Sequence, residues 1–439
     1  MQLDEYIEGM QPDEAAERRR LAEEKSYEIL DYVDEVARNF ESTLQGDSLY
    51  GATAPSVFVG RSSYPNVSAG ILSPMETSED AEQFATSGEW YQQGLDIDNV
   101  LQYRTGLLNS QRSAKVDVED VWDGFVGVQR EVAIADRPVD VEIGLSDTPE
   151  FDPEQYTTPV ANAPSGPNAR AESADLAENP HVPRVVEKTL EDDDWQAQGA
   201  MTYLYRRGLD VYEINRVLSV GALGQGENRR LVPTRWSITA VDDTIGKFLR
   251  GQIRNRPSVD KTEVWVNEYM GNRYWVVLAP GQWEFELVEM KAPGSIWNPD
   301  PTDDTWMASA SEGYEGRTSY VDETSGAYYA SRLGVLEHLA DRGRQAKVLV
   351  LREVSDDYWA PVGVWQIRES IRNAFEGTPL DGGEHGGAEA DVPAGEPGEA
   401  ETFHDAVRSI APHLPVSLGA LRRKSTMVSG LQTGLSDFS

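Results

Sequence analysis

The sequence contains no cysteine, which at one stroke excludes disulfides, thiolate zinc sites, cysteine-ligated iron–sulfur clusters and a cysteine nucleophile. Lysine is scarce as well: eight of 39 basic residues, so arginine supplies nearly all the positive charge. No stretch approaches the roughly 18 consecutive apolar residues of a membrane-spanning helix. The opening Met1-Gln2-Leu3-Asp4-Glu5 has neither the basic segment nor the apolar run of a secretory leader, and a cytoplasmic location is expected. The histidines His181, His338, His385, His404 and His413 are scattered without ligand spacing, so neither a metal cluster nor a cofactor is expected. Missing too, in any suitable strand-to-helix context, are a Gly-x-Ser-x-Gly elbow, a Walker motif and a dinucleotide fingerprint.

What the chain has in abundance is acid. Its 75 acidic residues give a formal net charge of −36, distributed along the whole length. Such acid-rich, lysine-poor composition resembles that of organisms that balance high external salt with high internal salt. Dense carboxylates repel one another at low ionic strength, and a Debye length of ~3 Å near molar salt removes most of that repulsion. Stability is therefore expected to require salt. At 439 residues the chain is long enough for two or three hydrophobic cores.

Periodicity predicts a mixed α+β fold. Ile29, Val33, Val36, Phe40 and Leu44 form one stripe of an amphipathic helix over 12–44. Two short strands are expected over 56–59 and 67–72, helices over 78–110 and 118–135, and a strand over 138–144. These make a first α/β region over 1–145. Residues 146–183 are rich in Pro, Ala, Asn and acids and poor in aliphatics, and are expected to be a loop or linker. A second region, 184–375, is expected to begin with two helices over 195–218 broken at Gly208 and a third over 242–254. Strands follow over 262–269, 274–278 and 283–290, the first pair joined by a hairpin turn at Met270-Gly271-Asn272. A helix over 325–342 and strands over 347–352 and 359–365 complete it. Residues 376–402, with seven glycines and no aromatic, are expected to be a flexible tether holding out a last segment, 403–439.

The segment from Arg229 to Arg256 is locally basic. Arg229, Arg230, Arg235, Lys247, Arg250, Arg254 and Arg256 face only Asp242 and Asp243. Lys247, Arg250 and Arg254 fall at spacings of three and four, one face of a helix, as a phosphate-binding stripe would. The glycine-rich 221–228 just ahead could bring backbone amides to a phosphate. Trp236 and Tyr203 are candidates for stacking on bases, which a binding site in high salt would need in addition to phosphate contacts. The alternative is that these arginines pair with the surplus carboxylates.

The chain ends Gln432-Thr433-Gly434-Leu435-Ser436-Asp437-Phe438-Ser439. In a 3₁₀ turn, with three residues per turn, Gln432, Leu435 and Phe438 eclipse one another and point the same way. Leu435 and Phe438 then form a two-pronged apolar plug whose affinity, after the cost of ordering a tail, is on the order of micromolar. This resembles the peptide by which client proteins bind the ring-shaped replication sliding clamp, proliferating cell nuclear antigen (PCNA). Such peptides usually carry a second aromatic, where this chain has Ser439.

The strings Leu231-Val232-Pro233-Thr234-Arg235-Trp236-Ser237-Ile238-Thr239-Ala240-Val241-Asp242-Asp243 and Ser56-Val57-Phe58-Val59-Gly60-Arg61 resemble the archaeal Nre DNA-repair proteins, over most of the chain. The resemblance implies a role in repair of DNA through the sliding clamp and no particular reaction. Some members carry a cysteine-rich N-terminus, which this chain lacks. Two readings of different class follow: a clamp-tethered adaptor or DNA-binding factor, or a clamp-tethered metal-dependent nuclease or other DNA-processing enzyme. For the second, Glu289-Met290-Lys291 resembles the Glu-x-Lys pair of metal-dependent nucleases, with Asp242 or Asp243 as a further carboxylate.

Overall fold

In the computed structural model, which describes residues 48–75, 80–118, 122–147, 149, 165–377 and 395–430, two six-stranded sheets are joined by a block of helices. The helix expected over 12–44 and the terminal peptide Gln432 to Phe438 lie outside the described residues. No helix among the described residues is long and apolar enough to cross a membrane.

The first sheet contains β1 (Ser48–Ala52), β2 (Val57–Val59), β3 (Asn66–Pro74), β4 (Leu107–Lys115), β5 (Asp140–Leu145) and β6 (Asn168–Leu176), in the order β1-β5-β6-β4-β3-β2. Only β4 and β6 run parallel. The position of β6 corrects the expected linker over 146–183, part of which is a central strand. Its inward positions are Ala169, Ala171 and Ala174, buried but too small to give a hydrophobic pattern. The single helix expected over 78–110 is also corrected. It is a 3₁₀ turn (Ala81–Phe84), α1 (Glu89–Gln92) and α2 (Ile97–Thr105), followed by β4. Gly94, at φ 68°, stops α1, and a reciprocal cap restarts the chain: Asn99 N–H donates to Asp96 Oδ1 at 2.8 Å while Asn99 Oδ1 accepts from Asp96 N–H. Helix α3 (Gly124–Ile134) covers the sheet, and its buried Gln129 Nε2 donates to the carbonyls of Phe58 and Gly70, tying β2 to β3.

The helical block is α4 (Arg184–Glu191), α5 (Ala197–Arg206), α6 (Val211–Ser219) and α7 (Thr234–Ile253). The break at Gly208 is where the sequence places it, with φ 96°, and Asp210 caps α6 through the Glu213 N–H at 2.7 Å. Helix α7 begins at Thr234, eight residues earlier than the periodicity suggested, directly after Pro233. It runs from contact with β2 at its start to the helices over the second sheet, burying Val241, Ile245, Leu249 and Ile253.

The second sheet contains β7 (Thr262–Tyr269), β8 (Asn272–Ala279), β9 (Glu284–Lys291), β10 (Trp306–Glu312), β11 (Lys347–Val354) and β12 (Gly398–Ala400), in the order β10-β9-β11-β8-β7-β12. Met270 and Gly271 sit at φ 49° and 65°, the pair of positive values a two-residue hairpin needs. Both faces are covered. Trp265, Tyr274, Val276, Leu287 and Val350 pack with α8 (Ser325–Arg342) and α9 (Trp365–Glu376) in the core shared with the first sheet. Val264, Val266, Trp275, Val288 and Leu351 pack with α10 (Phe403–Ile410), α11 (Leu418–Lys424) and α12 (Thr426–Ser429). The strand expected over 359–365 does not form: Gly363, at φ 95°, interrupts it and Trp365 opens α9.

The tether is corrected as well. Residues 395–402 return to the sheet, β12 pairing with the edge of β7, and α10 to α12 lie against the sheet rather than being held away from it. Residues 378–394 lie outside the described part. The anchor is Glu286 on β9, fully buried, whose carboxylate accepts from Ser425 Oγ (2.7 Å), Thr426 N–H (2.7 Å) and Met427 N–H (2.8 Å). Replacing Glu286 by leucine removes both acceptor oxygens, and with them all three hydrogen bonds, and leaves the Thr426 and Met427 amides unsatisfied. We expect α11 and α12 to lose about 1–3 kcal/mol of docking, read as faster amide exchange over 418–430 with β7 to β9 unchanged.

Candidate nucleic-acid interface

The two distinctive strings, 56–61 and 231–243, meet in space. The N–H of Val59 on β2 donates to Thr234 Oγ1 at the start of α7, at 2.9 Å. Beyond β2 the chain makes a turn fixed by Tyr64 N–H to Arg61 O and Asn66 N–H to Ser63 O. That turn sets the Tyr64 ring against Trp236, with centroids 5.4 Å apart and planes inclined at 55°. Tyr64 is 52%, Trp236 44% and Phe58 37% exposed, so three of the six exposed large hydrophobic side chains among the described residues lie on β2, on the turn after it and at the start of α7. Around them are exposed cations: Arg235, next to Trp236; Arg61, in the turn; and Lys115, opposite Asn66 on the neighbouring strand. Among the described residues none of these three has an acidic partner.

The other basic candidates are engaged. Arg229 is 4% exposed and donates to the carbonyls of Gly224 (3.1 Å) and Leu190 (2.9 Å), with Asp193 at 3.2 Å. It organises the 221–228 segment, whose Gly221, Ala222 and Asn228 amides donate within the chain to the carbonyls of Leu218, Val217 and Gln225. Arg230 pairs with Asp117 at 2.6 Å. Lys247, Arg250 and Arg254 do share a side of α7, but Lys247 binds Asp243 at 2.6 Å and Arg250 donates to the Tyr314 carbonyl at 3.3 Å. Arg254 lies 4.8 Å from the centre of the Tyr314 ring and 3.5 Å from Glu315. Two members of the expected stripe, Arg250 and Arg254, thus form a seam between α7 and the 313–316 turn, and the third, Lys247, pairs within the helix. Tyr203 packs edge-on against Trp195, with Arg207 over its ring at 5.2 Å, in a hollow lined by Glu191, Asp192, Asp193 and Asp194 against the single lysine Lys188, a balance that disfavours phosphate.

The carboxylates singled out for metal chemistry are also committed. Asp242 is 1% exposed and receives Arg368 Nη2 on both oxygens at 2.7 Å. Burial pushes its carboxyl above the ordinary aspartate range, with Arg368 opposing that rise. Asp243 is shared by Lys247 and Arg332. Glu289 is buried against Arg352, which also donates to Asn272 Oδ1 at 2.7 Å, while Lys291 stands 3.7 Å away. Burial lowers the Lys291 ammonium, which also lies over the Trp306 ring at 4.1 Å. Among the described residues no group of three histidine, aspartate or glutamate side chains could hold a metal ion.

The model of the archaeal Nre N-terminal region matches residues 21–298, and that of the archaeal Nre C-terminal region matches residues 312–392. The chain belongs to the archaeal Nre family. It is 64% identical, over the full length of both chains, to the DNA repair protein NreA of Haloferax volcanii. It is 38% identical to the DNA repair protein NreA of Archaeoglobus fulgidus, over 74% of this chain and 79% of the relative. With the DNA repair protein NreB of the same organism it shares 34% identity over 89% of this chain and 92% of the relative. No solved structure matches it. In this Nre chain the two matched regions are not separate folding units. Strand β9, in the first, pairs in parallel with β11, in the second, so neither region completes the second sheet alone. Tyr64, Arg61 and Lys115 were not singled out from sequence for the basic, aromatic site. The only signal for Arg61 was its place in the string 56–61, and for Tyr64 its place between the two strands expected over 56–59 and 67–72; for Lys115 there was none.

Proposed function

We propose that this Nre protein acts in DNA repair as an adaptor or DNA-binding factor that docks on the sliding clamp PCNA through Gln432, Leu435 and Phe438. The observation that carries the repair role is end-to-end 64% identity with a protein named for DNA repair. Clamp docking is supported by the terminal spacing of glutamine, aliphatic and aromatic side chains, and by where the peptide leaves the body. Helix α12 is held on the sheet by Glu286, and only Gly430 and Leu431 separate it from Gln432. A docked clamp would therefore sit close to the second sheet, its orientation restricted, rather than at the end of a long leash. The non-catalytic reading is favoured over a metal-dependent nuclease because Asp242 and Glu289 are each already neutralised by a buried arginine.

The test is binding to the clamp of the same organism in molar potassium chloride, full chain against a chain truncated after Gly430. The full chain is expected to bind with a Kd on the order of micromolar. Truncation is expected to weaken this beyond detection, with the melting temperature unchanged. Equal binding by both chains, or by neither, rejects clamp docking through the tail.

A further inference from the structure

We propose that the junction of β2 with the start of α7 is a base-stacking site for unpaired DNA. The faces of Trp236 and Tyr64 take one or two bases, and Arg235, Arg61 and Lys115 meet the flanking phosphates. This rests on the repair reading in supposing that DNA is the ligand, and deepens it by naming the strand state recognised and the residues that recognise it.

Three features of the junction point to this ligand. First, the aromatic side chains are held in place although exposed. Tyr64 stands on a hydrogen-bonded turn, Trp236 on the first turn of α7 with its N–H on Pro233 O at 2.7 Å, and the Val59 to Thr234 hydrogen bond joins the two supports. A fixed pair of rings takes a base without a large ordering cost.

Second, the charge is of the right sign and is left open. In a chain of net charge −36, the arginines further along α7 are consumed by neighbouring acceptors, whereas Arg235, Arg61 and Lys115 have no acidic partner among the described residues. Apolar rings with neighbouring cations that have no acidic partner among the described residues fit a polyanion with exposed π-faces. An apolar protein segment would leave those cations unmatched.

Third, the solvent that suits so acidic a chain selects for stacking. Phosphate-driven affinity falls steeply with salt, so a site made only of cations would be lost near molar potassium chloride, while base–aromatic stacking persists. In a duplex the base faces are covered by their neighbours, and for that reason unpaired DNA is the expected form.

The experiment is fluorescence anisotropy of a labelled oligothymidylate of roughly 15 nucleotides, comparable to the larger single-strand site sizes, and of a duplex of the same length, in molar potassium chloride. Expected for the full-length protein is saturable binding to the single strand, at least tenfold weaker binding to the duplex, and a loss of about tenfold or more in Trp236→Ala and in Tyr64→Ala. Trp236→Phe should retain most of the affinity. Trp306→Ala, which removes an equally exposed ring on β10, should retain all of it. Arg235→Gln should weaken binding and flatten its salt dependence. The proposal is overturned if the full-length protein does not bind the oligothymidylate, if it prefers the duplex, or if Trp236→Ala and Tyr64→Ala bind as the parent does. The clamp assay is independent of this result. Clamp docking without single-strand binding rejects the stacking site and leaves the repair reading standing, and the reverse rejects the docking peptide alone.

Discussion

Replacing Arg368 by methionine is expected to destabilise the protein by about 3–5 kcal/mol, whereas the double change Asp242→Leu with Arg368→Met should recover most of that loss. Asp242 lies on α7 and Arg368 on α9, both almost fully buried, and Nη2 of the arginine lies 2.7 Å from each carboxylate oxygen. The large cost of the single change comes from stranding a carboxylate in an apolar interior, more than from losing an attraction whose gain is largely offset by desolvation. The pH dependence follows from the same cause. Burial raises the Asp242 carboxyl in the folded protein, and removing its cation raises it further. A group whose folded pKa lies above its unfolded value stabilises the fold when protonated, and that contribution is lost as pH rises through the folded value. The deficit of Arg368→Met should accordingly be small in mild acid and grow towards neutrality. Denaturant unfolding at two pH values in molar salt reads this directly, and a deficit independent of pH would contradict it. One practical consequence concerns the nuclease reading. Alanine at Asp242 strands Arg368, so loss of an activity in that variant would report loss of the fold as readily as loss of a metal ligand.

Strands β7, β8, β9 and β11 of the second sheet were legible because a sheet covered on both faces is built from continuous β-branched and aliphatic runs, whereas β10, with small and polar residues at Ala308 to Ser311, was not. Val348, Leu349, Val350 and Leu351 are all fully buried, and no helix period competes with such a run. The hairpin was legible from Gly271 and helix α8 from its length. Strand β6 was hidden because alanine fills its inward positions, and α9 because its buried side includes Gln366, Arg368, Glu369, Ser370 and Asn373, which read as surface. The docking of 403–429 was hidden for a related reason: much of the anchoring is done by a glutamate, Glu286, in a strand otherwise apolar. At the candidate interface, Arg235 and Trp236 could be picked out as a basic, aromatic dipeptide. Spacing alone could not show that Arg250 and Arg254 are spent on Tyr314 and Glu315, 64 and 61 residues further along the chain. Nor could it show that a turn near residue 64 supplies the second ring.

Raising potassium chloride from about 0.1 M to about 1 M, which shortens the Debye length from ~10 Å to ~3 Å, should raise the unfolding midpoint more than any single substitution considered above. The driving quantity is a net charge of −36 on one chain. Unfolding spreads that charge out, so repulsion favours the unfolded chain until salt screens it. Screening also weakens exposed ion pairs such as Lys261–Glu399, whose side chains are 62% and 64% exposed. Such fully solvated pairs are individually too weak to reverse the trend. Buried pairs respond differently: the deficit of Arg368→Met should be nearly the same at both salt concentrations, because water and ions do not reach Asp242. A midpoint that stays level or falls over this range would mean that local pairing, and not net repulsion, governs the stability of the fold. The same rise in salt pulls phosphate binding in the opposite direction. A protein whose fold gains from salt while its phosphate contacts lose by it can hold a nucleic acid only through contacts that screening does not touch. At the β2–α7 junction those contacts would be the faces of Trp236 and Tyr64.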